Sequence, residues 1–208
     1  MRPTISQSFT PKEEARKNEI IAAAATVFFE KGFSRTSMDD VIAVTGGSKR
    51  TLYRYFPSKD DLFFAVVTSV ADRTMEGLQV TKSDDLRRTL TTFGESYLRT
   101  VVSGDGLSLF RAVASETPYL PELGERFLHD ATNRVSRLLA DYFEDQNQRD
   151  AAQLIQDPMW AAGQFLALVR GQTHFAALFG GKAPSPKEIK TAVASSVDMF
   201  LRGALRAR

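Results

Sequence analysis

The chain has 208 residues, 43% of them apolar, and no cysteine, which excludes disulfides, thiolate metal sites and thiol redox chemistry. No stretch approaches the roughly 18 consecutive apolar residues of a membrane span. Residues 1–9 are polar and lack the apolar run of a secretory signal, so a cytoplasmic location is expected.

The formal net charge of +2 is unevenly spread. Residues 1–59 hold ten basic and six acidic side chains, about +4, leaving about −2 for the remainder. A basic front end points to a polyanion partner; chance scatter is the alternative.

The chain reads as helices nearly throughout, with no alternating strand pattern, internal repeat or low-complexity tract. Thr10, Pro11 and Glu13 form a helix start, with a capping threonine, a proline at the first helical position and a capping-box glutamate. Ile20, Ala24, Val27 and Phe28 then recur at helical spacing and give one buried face, and Gly32 ends the helix. Ser37 caps a short second helix with Asp39 and Asp40 in its first turn and Met38, Val41 and Ile42 facing inward. Gly46-Gly47 breaks it. A third short helix starts at Ser48, runs through Tyr55 and stops at Pro57. Ser58 to Asp61 is a second capping box, opening a long helix toward residue 79.

Further helices are expected over about 84–103, 106–116 and 120–145, with a short piece near 149–155. Asp157-Pro158 opens a strongly apolar helix to Phe179, closed by Gly180-Gly181, and Ser185-Pro186 opens the last, ending near Arg206. The organisation expected is a flexible tail over 1–11, a front helical module over 12–57 and a helical remainder over 58–208.

Residues 36–62, TSMDDVIAVTGGSKRTLYRYFPSKDDL, have the form of a helix-turn-helix. The second helix of such a motif enters the major groove with its N-terminal residues nearest the base edges. Here those are Ser48, Lys49, Arg50 and Thr51. Lysine and arginine donate to guanine, and serine and threonine read either role. Leu52 and Phe56 are the expected core anchors, which leaves the hydroxyls of Tyr53 and Tyr55 for phosphates. Lys59, at a helix N-terminus, and Thr36 and Ser37, at the start of the preceding helix, are further phosphate candidates. On local physics alone, a glycine-turned helix pair with a solvated basic face reads equally well.

The same stretch resembles the signature of the TetR family of regulators. That pattern runs Thr, two or three residues, Asp-Ile-Ala, a small residue and Gly, Val-Ser, two residues, Leu-Tyr, one residue, His or Tyr, Phe, two residues, Lys, two residues, Leu. It stands here as Thr36, Asp40-Val41-Ile42-Ala43, Gly46, Ser48, Leu52-Tyr53, Tyr55-Phe56, Lys59 and Leu62. The segment AAAATVFFEKG resembles the end of the family's first helix, so the match spans about residues 15–65. Two positions depart from it. Gly47 stands where valine is usual, which would loosen the turn, and Arg50 stands where a small residue is common, which would add a contact. Two later segments, LFRAVASETPYLPELGERF and AAGQFLALVRGQTHFAALFGG, are similar to the AcrR/AefR-like branch, whose regulators often control efflux or detoxification genes.

The resemblance implies an all-α fold, an N-terminal three-helix helix-turn-helix domain fused to a helical ligand-binding and dimerisation domain. It implies double-stranded operator DNA as partner, a homodimer through the last two long helices, and usually repression. Ile189, Val193, Val197, Phe200, Leu201, Ala204 and Leu205 form the apolar stripe expected at that interface, with Gly163, Ala167, Gly171, Ala176 and Ala177 allowing close approach. Core packing within one chain is the competing reading. The expected effector is small and hydrophobic or aromatic, held by Phe93, Tyr97, Phe110, Trp160 and Phe165 with Arg111 and Gln164 as polar contacts, and for any one of these rings core packing is the stronger reading. Arg170 and His174 are further polar candidates, although His174 reads better as a satisfied interface or core histidine. Two histidines far apart without cysteine offer no transition-metal site, and no cofactor is expected. No nucleophile elbow, phosphate loop or histidine pair supports an enzyme; Asp60-Asp61 and Asp84-Asp85 read as helix caps. An architectural DNA-binding protein without a ligand switch, and a helical scaffold with a vestigial front module, remain the alternatives.

Overall fold

The computed structural model describes residues 10–81, 83, 85–149 and 157–204, apart from the side chains of 130 and 131. Residues 1–9 of the expected tail, Asp84, residues 150–156 of the expected short helix, Leu205 and Arg206 lie outside the described residues. Among those described there are ten α-helices, one π-helical turn and no strand. The helices are α1 Pro11–Lys31, α2 Met38–Thr45, α3 Lys49–Tyr55, α4 Lys59–Met75, α5 Leu86–Val101, α6 Gly104–Glu116, α7 Pro121–Phe127, α8 Asn133–Gln148, α9 Pro158–Leu178 and α10 Pro186–Ala204. No helix of the described residues is long and apolar enough to cross a membrane.

Local chemistry sets the ends of these helices. Thr10 and Glu13 form a reciprocal capping box at α1, and Ser37 and Asp40 form another at α2. Ser48, Asp85, Ser103 and Asp157 each accept a backbone N–H at the start of α3, α5, α6 and α9. Each such cap is worth about 1 kcal/mol. Gly32 and Gly46 terminate α1 and α2 at positive φ, 81° and 66°.

Two findings differ from the sequence reading. The helix expected over 120–145 is interrupted by a π-helical turn, Leu128–Thr132, between α7 and α8. No glycine or proline marks that turn, so no local signal announced it. The helix opened by Ser58 ends at Met75 rather than near 79, two residues short of Gly77.

The chain divides into two compact units, Met1–Val70 and Ala71–Arg208, with the boundary inside α4. The core of the first unit joins Ile20, Ala24 and Phe28 of α1, Val41 of α2, Leu52 of α3, and Leu62, Phe63 and Val66 of α4, all at most 2% exposed. The Phe28, Phe33 and Phe63 rings meet at centroid distances of 4.7–5.8 Å. The early turns of α4 therefore fold with α1–α3, and the first unit extends beyond residue 57.

In the second unit α8 packs on α9, and α5 on α9 and α10. A Cβ on Gly94 would come within 2.9 Å of Val193, so this glycine lets α5 lie close to α10. Phe143, Phe165 and Phe200 fill the centre, and the Tyr142 hydroxyl donates to the Ser83 carbonyl at 3.0 Å. Ile189, Val193, Val197 and Phe200, the stripe assigned to a partner, are at most 4% exposed within their own chain. That assignment is corrected: the stripe completes the core, because its spacing aims it at α5 and α9.

Candidate functional site

The front unit presents α3 with its two faces sharply separated. Leu52, Tyr55 and Phe56 are buried, at 2%, 9% and 3% exposure, while Ser48, Lys49, Arg50, Tyr53 and Arg54 are exposed. Leu52 and Phe56 anchor the helix as expected. Tyr55 does so too, which corrects its reading as a free phenol: its ring is core and its hydroxyl accepts from Arg54 Nη2 at 3.1 Å. Ser48 Oγ accepts the Thr51 N–H at 3.1 Å and lies 3.0 Å from Thr51 Oγ1, so both hydroxyls serve the cap.

Most charges near α3 are already matched. Lys49 pairs with Asp39 at 2.8 Å, and this neighbour raises the lysine pKa. Lys31 pairs with Asp40 at 2.7 Å; that bond and those from Ser37 hold the Asp40 carboxyl far below the usual carboxylate range. Thus each acid in the first turn of α2 is neutralised by its own lysine, which reduces repulsion of a phosphate there. Arg54 pairs with Glu13 at 2.8 Å. Among the described residues Arg50 is the cation of α3 without an ion-pair partner, and it stands beside the half-exposed Tyr53.

Two phosphate candidates are internal. Thr36 is 3% exposed and its hydroxyl donates to the Gly32 carbonyl at 2.8 Å, so it closes the α1–α2 turn instead of facing outward. Lys59 Nζ donates to the carbonyls of Phe33 and Thr36, both at 3.0 Å, and lies 4.2 Å from the Phe33 ring centroid. Two carbonyls and a ring hold this ammonium inward. Ser37 is exposed, but its hydroxyl is engaged with Asp40.

The turn before α3 takes a form the sequence did not reveal. Gly46 and Gly47 both have positive φ, 66° and 97°. Arg16 Nη2 donates to the carbonyls of Thr45 and Gly46 at 3.0 and 3.1 Å. The turn is therefore pinned to α1. Arg16 had no motif of its own to single it out.

In the second unit the effector candidates separate. Phe93, Tyr97 and Phe165 are 1%, 4% and 0% exposed and Phe93 stacks on Tyr97 at 6.5 Å. Half-buried Phe110 meets His174 edge-on at 4.7 Å and Phe127 at 5.4 Å. Arg111 donates to the carbonyls of Ala177 and Leu178, both at 2.9 Å, and so serves as a clasp on the end of α9. Trp160 is 54% exposed and Gln164 is also exposed. These two cannot line an internal pocket: helical phase puts them outside with Ala167 and Gly171, while Ala161, Ala162, Phe165 and Val169 face the core. Phe175 and Phe179 extend the exposed apolar surface at 57% and 75%.

Residues 20–66 match the model described as bacterial regulatory proteins, tetR family, and residues 88–203 match the AefR-like transcriptional repressor C-terminal domain. An uncharacterised HTH-type transcriptional regulator of Mycobacterium tuberculosis is 26% identical over 198 residues, covering 92% of this chain and 89% of its own. The solved structure of a flavonoid-responsive regulator, FrrA, is 31% identical with a TM-score of 0.82, covering 94% of this chain and all of the other. That of a TetR-family regulator from Mesorhizobium loti has a TM-score of 0.86 at 24% identity, over 95% of this chain and all of the other.

Proposed function

Because the chain belongs to the TetR family of transcriptional regulators, DNA-binding proteins of repressor type, we propose that it binds a palindromic operator as a homodimer and is released by a small effector. The observation that carries this reading is the two-faced α3. Its buried residues join the core of the first unit, where α3 packs on α2, and its exposed end offers Arg50, Lys49 and Tyr53 to a major groove. Arg50 reads guanine, Tyr53 and the N–H groups at the start of α4 take phosphates, and Lys49 exchanges Asp39 for DNA.

Dimerisation uses the outer faces of α9 and α10. Trp160, Phe175, Phe179 and Met199 are all more than half exposed there, and Gly163, Ala167 and Ala176 permit close helix approach. A two-fold pair of reading heads requires half-sites about 34–36 Å apart, or a multiple of that.

The effector site lies in the second unit, among Phe93, Tyr97, Phe110 and Phe165. A ligand there shifts the protein only by its differential affinity for DNA-bound and free states. FrrA, which is flavonoid-responsive, supports an aromatic effector by its similarity.

Selection from random-sequence duplex DNA tests the reading. It predicts enrichment of a palindrome with the stated spacing. Recovery of unrelated sequences, held equally well, would instead describe an architectural protein.

A further inference from the structure

We propose that the effector site centres on Arg170 and His174 of α9 and takes an organic anion, an aromatic ring bearing a carboxylate or phenolate. This rests on the effector reading above.

His174 is 7% exposed, and its Nε2 has no hydrogen-bond partner. Buried side-chain nitrogens are ordinarily satisfied. Arg170, four residues earlier, is half-buried and, among the described residues, has neither an ion pair nor a hydrogen bond. Arg87, Arg99 and Arg134 of the same unit each hold a carboxylate. A helix break separates the pair: Gly171 has φ 37° and ψ −146° inside α9.

The surroundings complete a site. Phe110 lies edge-on to the imidazole, Phe127 packs against Phe110, and the Arg111 clasp ties α6 to the end of α9. The Arg170 charge reaches two buried groups. Burial raises the Tyr97 phenol pKa, against the pull of Arg170. Burial lowers the His174 pKa, and Arg170 lowers it further. A half-buried cation, an imidazole with an enclosed, unpartnered nitrogen and a buried phenol thus lie within electrostatic reach of one another.

The ligand chemistry follows from what each class would leave unmatched. A neutral aromatic would leave the guanidinium without a counter-charge in a drier setting, and a cation would be repelled. A carboxylate or phenolate neutralises Arg170 and can accept from a protonated Nε2, while its ring takes the aromatic walls.

The test uses the full-length protein with matched sets of probes: 2-naphthoate, 2-naphthamide and 2-naphthol, and 4-hydroxycinnamate with its amide. Binding is read by thermal shift and by release of the selected operator, for wild type, Arg170→Gln and Arg170→Lys. The expected result is acid binding on the order of 10-fold tighter than the amide in wild type. The preference collapses to about twofold or less in Arg170→Gln and returns in part in Arg170→Lys, and the bound acid raises the His174 pKa as read by NMR. The naphthol arm separates phenolate from carboxylate recognition, and the lysine variant guards against a folding defect. Equal or tighter binding of 2-naphthamide than of 2-naphthoate, or an acid preference that survives Arg170→Gln, overturns the anion site and leaves the effector reading standing. Failure of every acid and every amide to bind overturns both.

Discussion

Arg16 of α1 donates to the carbonyl of Gly46 at 3.1 Å, across 30 residues of chain, and so fixes the turn from which α3 departs. The same nitrogen also holds the Thr45 carbonyl, and a Cβ on Gly47 would lie 3.4 Å from it. The orientation of α3 thus depends on a side chain outside the helix-turn-helix.

Gly47→Val should therefore destabilise this chain. At φ 97° a β-branched residue is strained, by about 1–2 kcal/mol or more, and Arg16 leaves it little room. Urea titration should show a lower midpoint with an unchanged slope. A midpoint equal to wild type would mean that the turn readily adopts another form.

Lys59→Met should lower stability, by about 1–3 kcal/mol, since two backbone carbonyls lose a charged donor. The salt dependence of DNA binding should change far less than the roughly one-ion step that accompanies loss of a phosphate contact. A full one-ion change with unaltered stability would restore Lys59 as a phosphate ligand.

The comparison of these residues shows what sequence could and could not reveal. Helix starts were legible because Thr10, Ser37, Ser48 and Asp157 act through neighbours two to four residues away. Leu52 and Phe56 were legible from spacing. Tyr55, Thr36 and Lys59 read as free in the sequence because a polar tip on a helix end has no visible partner until the chain folds carbonyls and other tips around it. The α10 stripe was read as an interface because apolar spacing fixes a buried face without naming what covers it. Arg16 and the π-helical turn after α7 were invisible, one because its partners are 29 and 30 residues away, the other because no breaker marks it.

His174 should give the second unit a pH-dependent stability. Its folded pKa lies below the ordinary 6.5, from burial and then from Arg170. An unfolded histidine takes up a proton near 6.5 while the folded one resists it. Stability is therefore full above 6.5 and is lost as pH falls toward the folded pKa. Urea midpoints at about pH 7.5 and about pH 5.5 should differ in wild type, and the difference should shrink in His174→Phe. An unchanged difference would assign the slope to other groups.

On the proposed homodimer, Phe175→Glu should dissociate the two chains with little loss of protomer folding, because the ring is 57% exposed in a single chain. Sedimentation equilibrium reads the mass, and circular dichroism the helix content. A dimer that persists would move the interface away from the outer face of α9.

Whether the exposed face of α3 reads base sequence is decided by fluorescence anisotropy. Wild type and Arg50→Ala are titrated with the selected operator and with its scrambled counterpart at two salt concentrations. Wild type should show strong operator preference. Arg50→Ala should show a loss of operator affinity on the order of 10- to 100-fold, a much smaller loss on scrambled DNA, and relaxed preference at the contacted base pair. Equal losses on both duplexes, or no loss on either, would contradict base reading by α3.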